Sequence, residues 1–223
     1  MRRRQTISEQ LWPKDGSFDS LKAWRADASV LILHRVWAAY DDLGADILRK
    51  VDWAAAADEI ERSLTAYHSV KILERQTGDE PFILLPEMPE FETREPAPAR
   101  SKAYDFGFAM RGGDYSMIWP IEAKVLKTDR KLTGYLRDLE AKFLKCQAAP
   151  YSHEGALIAY LISGNPSVVF EGIAAHIGQL LLPQPEFSGR NHRTSIHKRE
   201  VPQGKYYPAD FLCHHLVMEL GRR

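Results

Sequence analysis

The chain has 223 residues, of which 44% are hydrophobic and 27% are charged, an ordinary composition for a globular protein with a full core. Its length fits one large domain, or one domain with a helical extension. The 30 basic and 30 acidic residues cancel, which excludes the broadly positive surface of a strongly cationic nucleic-acid-binding protein.

Cysteine use and hydropathy bear on the compartment. Cys146 and Cys213 are too few for a disulfide framework, so we expect a reducing, cytoplasmic location. Residues 1–4, Met-Arg-Arg-Arg, are followed by polar residues rather than by the apolar stretch of a signal peptide. No apolar run approaches the ~18 residues of a membrane span, and we expect no membrane association.

Hydrophobic spacing predicts two helices before the first strand. Residues 1–18 are polar and predict an irregular arm. Apolar residues recur every three or four positions over 28–50, which predicts an amphipathic helix that Gly44 interrupts mildly. Asp52 is a candidate cap for a second helix over 53–76.

A β-hairpin is predicted in the middle of the chain. A short strand at 82–85 is followed by a proline-rich stretch, 86–101, which predicts a long loop. Two runs with alternating apolar residues, 104–110 and 115–124, then flank Gly112-Gly113, a pair that tolerates the positive φ of a two-residue turn. The counted register pairs large apolar residues on one face, which we predict to be the core face.

The other face of this hairpin carries charge. Glu122 and Lys124 share it because strand side chains repeat every two residues. The count sets Asp105 opposite Pro120, and therefore diagonal to Glu122, at a separation that side chains can close. Proline has no amide hydrogen, so we expect the strands to bulge or splay just before Glu122. Two carboxylates and an ammonium are thus predicted to converge on a thinly covered surface.

Converging carboxylates suit a hard divalent cation. Two of them can hold Mg²⁺ or Mn²⁺ and leave coordination positions for water and a substrate phosphate. The ion lowers the pKa of its bound water and stabilises charge on the phosphate. A neighbouring lysine can orient the attacking water or neutralise the transition state. The pattern predicts metal-dependent chemistry on a phosphate ester.

These residues resemble a known family. Asp105, a spacer that holds a turn, and then Glu-Ala-Lys at 122–124 resemble the motif of the PD-(D/E)XK nuclease superfamily. Glu-Arg-Ser-Leu-Thr at 61–65 resembles the helical element that brings a further acidic residue to the metal, and 82–87 resembles the first core strand. Three later segments resemble the helix and fourth strand of small, conflict-associated members: 132–136, 142–143 and 154–160.

The resemblance implies a fold, a division of the chain and an activity. The fold is α/β and restriction-endonuclease-like, a mixed sheet flanked by helices. An N-terminal arm with a helical extension, 1–51, precedes a nuclease-like domain, 52–223. The activity is Mg²⁺- or Mn²⁺-dependent hydrolysis of phosphodiesters, with DNA favoured over RNA, in bacterial defence beside partner proteins that supply recognition. Specificity, endo- or exonuclease action and a homo-oligomer stay open.

It also implies a role for each residue of the motif. Asp105 and Glu122 bind the metal, and the Ala123 carbonyl is a third ligand. Lys124 positions the attacking water, and Glu61 assists at the metal. The last role has alternatives: Glu61 as an ordinary solvated helix charge, or another acidic residue in its place. These substitutes are Glu59 and Glu87.

Basic residues after the hairpin are candidate contacts for a nucleic-acid backbone, with an ordinary solvated surface as the alternative. One group lies on and before a predicted helix over 132–147. Another lies in 190–199, which we predict to be a flexible cationic loop. The candidates are Lys127, Arg130, Lys131, Tyr135, Lys142, Arg190, Arg193, His197, Lys198 and Arg199.

The remaining pattern predicts strands at 156–162 and 211–220, a helix at 172–182, and another short strand at 168–170. Two functions of other classes compete with the nuclease. One is a catalytically silent nucleic-acid-binding or assembly subunit of a defence complex. The other is a helical interaction protein without a cleft.

Overall fold

The computed structural model describes residues 26–90, 92–93, 103–111 and 117–221. The protein is α/β, with a seven-stranded mixed sheet and helices on both of its faces. The helices are α1 (Ala26–Asp41), α2 (Ala45–Leu48), α3 (Ala57–Glu74), α4 (Thr133–Asp138), a π-helix (Leu139–Leu144) that continues α4, α5 (Pro166–Ile177) and a 3-10 helix (Pro185–Phe187). The strands are β1 (Phe82–Pro86), β2 (Phe106–Met110), β3 (Ile118–Leu126), β4 (Glu154–Leu161), β5 (Leu182–Pro183), β6 (His192–Lys198) and β7 (Asp210–Glu219).

The strand order is β1-β2-β3-β4-β7-β6-β5. Strands β3, β4 and β7 run parallel in the centre, and antiparallel pairs extend the sheet on both sides. Central parallel strands need cover on both faces, and β4 is buried along its whole length. The predicted mixed sheet with flanking helices is confirmed at this level.

Each face of the sheet has its own hydrophobic cluster. Helices α1 and α3 cover one face, where Val36 and Leu64 join Trp119 in one buried cluster. Helices α4 and α5 and the π-helix cover the other, where Phe143 and Ile173 pack in a second cluster. Because α1 belongs to the first cluster, the N-terminal helix is part of the same core as the sheet. Within the described ranges, no helix is long and apolar enough to cross a membrane.

The hairpin of β2 and β3 is antiparallel, but its register differs by two residues from the counted one. Gly107 pairs with Pro120, the residue that the count set opposite Asp105. An even shift keeps each side chain of the paired strands on its expected face. The pair at 112–113, from which the register was counted, lies outside the described residues.

Strand β3 extends beyond the end of β2. The last pair between them joins Phe106 and Ile121, while β3 continues to Leu126 beside β4. The strands therefore part just before Glu122, as predicted. The reason given for it was wrong, because Pro120 itself is paired within the ladder and β3 runs through it without a break. The result is an open edge on the last part of β3.

Several predicted helices and strands differ from the structure. The helix expected over 28–50 is divided into α1 and α2, and the one expected over 132–147 divides into α4 and the π-helix. Helix α5 includes 168–170, predicted as a strand. Its true start is set by Asn165, whose side chain accepts a hydrogen bond from the Ser167 amide.

The basic stretch 190–199 is a strand and not a loop. Strand β6 lies in the sheet between β5 and β7. Its buried side chains are mostly polar, among them His192, Thr194 and Ser195. Period-two patterning of aliphatic residues is therefore absent, and the sequence looked like a loop.

Candidate active site

The open edge of β3 is covered by two carboxylates. The Ala123 amide donates a 2.7 Å hydrogen bond to Asp105 Oδ2. The Val125 amide donates at 3.1 Å to Glu61 Oε2. Strand edges expose unpaired amides, and here side chains from the start of β2 and from α3 take the place of a neighbouring strand. Because β2 begins only at Phe106, the edge of β3 is left free there, and Asp105 and Glu61 both bind it.

Lys124 lies between three oxygen atoms. Its Nζ donates to Glu61 Oε1 at 2.6 Å and to the Ala123 carbonyl at 2.8 Å, and lies 3.2 Å from Asp138 Oδ2. Burial alone disfavours the ammonium, but the charges of Glu61, Asp138 and Asp105 raise the pKa of Lys124 above its usual value. Lys124 therefore keeps its proton and acts as a donor and a positive charge rather than as a general base.

Glu122 is almost completely buried, with 1% of its surface exposed. Its Oε2 accepts a hydrogen bond from Lys142 Nζ, whereas Oε1 has no hydrogen-bond partner. Burial raises the pKa of Glu122 to about 8, and the Asp105 charge adds to this effect while Lys142 opposes it. The expectation of a thinly covered surface was wrong, because α4 and the π-helix lie over this face.

Asp138 is the site residue that the sequence analysis missed. It ends α4, is 5% exposed, and lies 3.2 Å from Lys124 Nζ and 3.4 Å from Lys142 Nζ. Burial by itself raises the pKa of Asp138, but the two lysines outweigh it and lower the value. A π-helix follows directly, and such turns are frequent at functional sites. In the sequence, Asp138 and Lys142 stand four residues apart and looked like an ordinary surface pair.

These six residues form what we call the carboxylate–lysine cluster: Glu61, Asp105, Glu122, Lys124, Asp138 and Lys142. It contains every predicted catalytic side chain, and it selects Glu61 in preference to the exposed Glu59 and Glu87. Solvent still reaches it, since the side chains of Glu61, Lys124 and Lys142 are 18%, 17% and 19% exposed. The cluster is a set of charges held at a strand edge and partly open to a ligand.

The oxygen donors of the cluster can be compared with the ligands that a hard cation prefers. In the part of the chain that the structure describes, no group of three or more His, Cys, Asp and Glu side chains is arranged to hold a metal ion. The donors on β3 and beside it are two carboxylates, Asp105 and Glu122, and the Ala123 carbonyl. All are oxygens of the kind that Mg²⁺ and Mn²⁺ prefer. The buried, unpartnered Oε1 of Glu122 fits such an ion, because nothing else satisfies it.

The basic residues predicted to contact nucleic acid divide into an exposed and a buried group. Lys127, Arg130 and Lys131 are exposed between β3 and α4, next to the cluster along the chain, and Lys142 belongs to the cluster. Lys198 is exposed as well, on β6, and lies 2.5 Å from Asp210.

The buried group is already occupied by contacts within the protein. Tyr135 is fully buried and its hydroxyl lies 2.8 Å from His215 Nδ1. The Arg199 guanidinium donates to main-chain carbonyls that include those of Phe143 and Ser152. His197 Nε2 is hydrogen-bonded to Ser195 Oγ. The structure does not present these three side chains to a ligand.

The last two predicted contacts lie against aromatic rings. Arg190 forms a two-pronged ion pair with Asp41 and lies 5.2 Å from the Trp37 ring centroid. Arg193 lies 5.6 Å from the Phe170 ring centroid. Both arginines are partly exposed, and the partners just named are side chains of the protein itself.

A second polar assembly, which we call the histidine chain, was not predicted. It consists of Trp37, His192, His214, Glu154 and Trp119. An indole can only donate, so the Trp37 bond to His192 Nδ1 (3.3 Å) fixes the tautomers that follow. His192 Nε2 then donates to His214 Nδ1 (2.9 Å), and His214 Nε2 donates to Glu154 Oε1 (2.7 Å). Trp119 donates to the other oxygen of Glu154 at 3.3 Å.

Comparisons with protein-family models, with curated proteins and with solved structures found no match for this chain. The function is therefore argued from the geometry and chemistry of the site.

Proposed function

We propose that this protein is a metal-dependent nuclease with a restriction-endonuclease-like fold, and that the carboxylate–lysine cluster is its active site. The observation that carries the proposal is the open edge of β3, where Asp105 and Glu61 hold adjacent outward amides and Lys124 is fixed between them. An acid, a second acid and a lysine are thereby placed together from separate elements. Metal-dependent phosphodiester hydrolysis can use such a set of groups.

Asp105, Glu122 and the Ala123 carbonyl would hold the metal ion. A bound Mg²⁺ or Mn²⁺ supplies a water of lowered pKa and charge stabilisation at the phosphate. Lys124 would orient the attacking water and offset negative charge in the transition state, roles that fit an ammonium with a raised pKa. Glu61 and Asp138 fix the direction of Lys124, and so act as positioning residues.

The substrate proposal is a DNA backbone held by positive charge beside the site. Lys127, Arg130 and Lys131 are exposed and follow β3 directly. Exposed cations contact phosphates without reading bases, which is consistent with partner proteins that supply recognition in a defence system.

A catalytically silent binding or assembly subunit is the second candidate. It is favoured by the lysines that already hold Glu122 and the Ala123 carbonyl, and by the lack of a three-ligand group among the described residues. Such a protein would bind DNA in a salt-dependent manner and cleave nothing when metal is added.

Cleavage of supercoiled plasmid in Mg²⁺, Mn²⁺ or EDTA tests the proposal. We expect metal-dependent nicking by the wild type, loss of nicking in Lys124→Ala, and unchanged nicking in Lys50→Ala, an exposed lysine remote from the cluster in sequence. Nicking that survives in Lys124→Ala would reject this active site. No nicking together with metal-independent DNA binding would favour the silent subunit.

A further inference from the structure

Lys142 is hydrogen-bonded to Glu122, the carboxylate that a metal ion would need as a ligand. Its ammonium donates to Glu122 Oε2, so the buried carboxylate already has a positive partner within the protein. This contact is not one of a mobile surface pair, because Glu122 is 1% exposed and Lys142 is 19% exposed. A divalent cation that binds Glu122 has to compete with Lys142.

The second oxygen of Glu122 shows that this ion pair does not complete the site. Glu122 Oε1 is excluded from solvent and has no hydrogen-bond partner. A buried oxygen left in this state is rare in a folded protein, because its lost contact with water is not replaced. The lysine thus neutralises one end of the carboxylate and leaves the other end ready for a further positive ligand.

Asp138 offers the displaced ammonium another partner. Asp138 Oδ2 lies 3.4 Å from Lys142 Nζ, one helical turn away at the i,i+4 position. The lysine stem has four rotatable carbons, so a change of rotamer can move the ammonium from Glu122 towards Asp138. Asp138 also holds Lys124 at 3.2 Å, so it lies between the two lysines.

We propose that Lys142 is an exchangeable counter-ion of Glu122: a divalent cation entering the site displaces its ammonium from Glu122, and the ammonium keeps Asp138 as its remaining carboxylate partner. The inference rests on the proposed function, because it takes Glu122 as a metal ligand. Without metal, Lys142 keeps the buried carboxylate neutralised, and the fold does not depend on a bound ion. With metal, Lys142 leaves Glu122, whose side chain is 1% exposed, for Asp138, whose side chain is 7% exposed.

Amine labelling of the wild-type protein tests the exchange without DNA or catalysis. Reductive dimethylation, quantified for each lysine by peptide mass spectrometry, is compared in EDTA and in Mn²⁺. We expect labelling of Lys142 to rise several-fold with Mn²⁺. Lys145, which is exposed and three residues along the same chain segment, serves as the internal reference and should not change.

Calorimetric titration of Mn²⁺ is run on the same samples and on Asp105→Asn. Mn²⁺ binding that depends on Asp105, with unchanged labelling of Lys142, would overturn the exchange and leave the proposed metal site intact. Absence of Mn²⁺ binding to the wild type would overturn both. In Asp138→Asn, Mn²⁺ should raise Lys142 labelling further than in the wild type, because the released ammonium has lost its charged partner. An equal rise in both proteins would reject Asp138 as that partner.

Discussion

The protein contains two buried polar assemblies that differ in charge and in completeness. The histidine chain has its hydrogen bonds donated in one direction, from Trp37 to Glu154, and each of these donors meets an acceptor. The carboxylate–lysine cluster has an ionisable group on all six side chains, partial exposure and one buried oxygen, Glu122 Oε1, without a partner. A satisfied network stabilises a fold, whereas an unsatisfied and partly open one is where a ligand gains the most.

Electrostatics separate the two assemblies in the same way. Burial lowers the pKa of His192 to about 2, so that histidine stays neutral. Burial raises the pKa of Glu122 to about 8, while the neighbouring acids raise that of Lys124. Strongly shifted ionisable groups in a partly open site are typical of functional sites. We therefore interpret the histidine chain as structural and propose the cluster as the reactive site.

The largest expected effect is on cleavage by Asp105→Asn. Losing one carboxylate charge from the cluster should lower the cleavage rate by at least about 100-fold, or ~3 kcal/mol on the barrier. Glu61→Gln should also lose activity, whereas Glu59→Gln and Glu87→Gln should cleave like the wild type. Plasmid nicking rates of the three variants show which glutamate acts at the site. A loss of activity in Glu87→Gln that exceeds the loss in Glu61→Gln would contradict the assignment of Glu61.

The histidine chain should matter for stability and not for chemistry. His214→Leu removes the donor to the buried Glu154 and should lower the free energy of unfolding by about 3 kcal/mol. That corresponds to a fall in Tm of about 6–12 °C for a chain of this size. Calorimetry measures it, with the exposed His176→Leu as control. Cleavage per folded molecule should be unchanged, and a specific loss of activity in folded His214→Leu would break the comparison.

Acid should destabilise the protein through its buried neutral histidines. Burial lowers the pKa of His68 to about 4, of His192 to about 2 and of His215 to about 3. The unfolded chain therefore takes up these protons near pH 6.5 and the folded one does not. The contribution of these neutral histidines to the free energy of unfolding is fully present above pH 6.5. It is lost as the pH falls, by up to about 1.4 kcal/mol per pH unit for each histidine.

Urea unfolding between pH 5 and 8 measures this slope. His215→Gln should have a slope that is shallower than that of the wild type by about one proton. A wild-type stability that does not change between pH 7.5 and pH 5 would contradict the neutral state of these histidines.

The smallest expected effect concerns Arg190. Because it pairs with Asp41 and lies over Trp37, Arg190→Ala should cost less than about 1 kcal/mol of stability. DNA affinity should stay the same. Alanine variants of Lys127 and Arg130, by contrast, should weaken DNA binding and reduce its salt dependence. Filter binding at several salt concentrations compares them, and a larger loss with Arg190→Ala would place the DNA on β6 instead.

The sequence predicted most of the cluster because its residues follow strand periodicity. Glu122 and Lys124 share a face whatever the register, so a two-residue error left their placement unchanged. Asp138 could not be found in this way, since its role depends on how α4 and the π-helix lie over β3. The strand β6 was missed because its inward residues are polar, and only their partners on β7 and α1 explain their burial.

Calorimetric titration of Mn²⁺ into the wild type, Asp105→Asn and His214→Leu tests the central claim most directly. If the carboxylate–lysine cluster is the metal-dependent active site, the wild type binds Mn²⁺, Asp105→Asn loses this binding, and folded His214→Leu retains it. Equal binding by the wild type and Asp105→Asn, or loss of binding only in His214→Leu, would contradict the account.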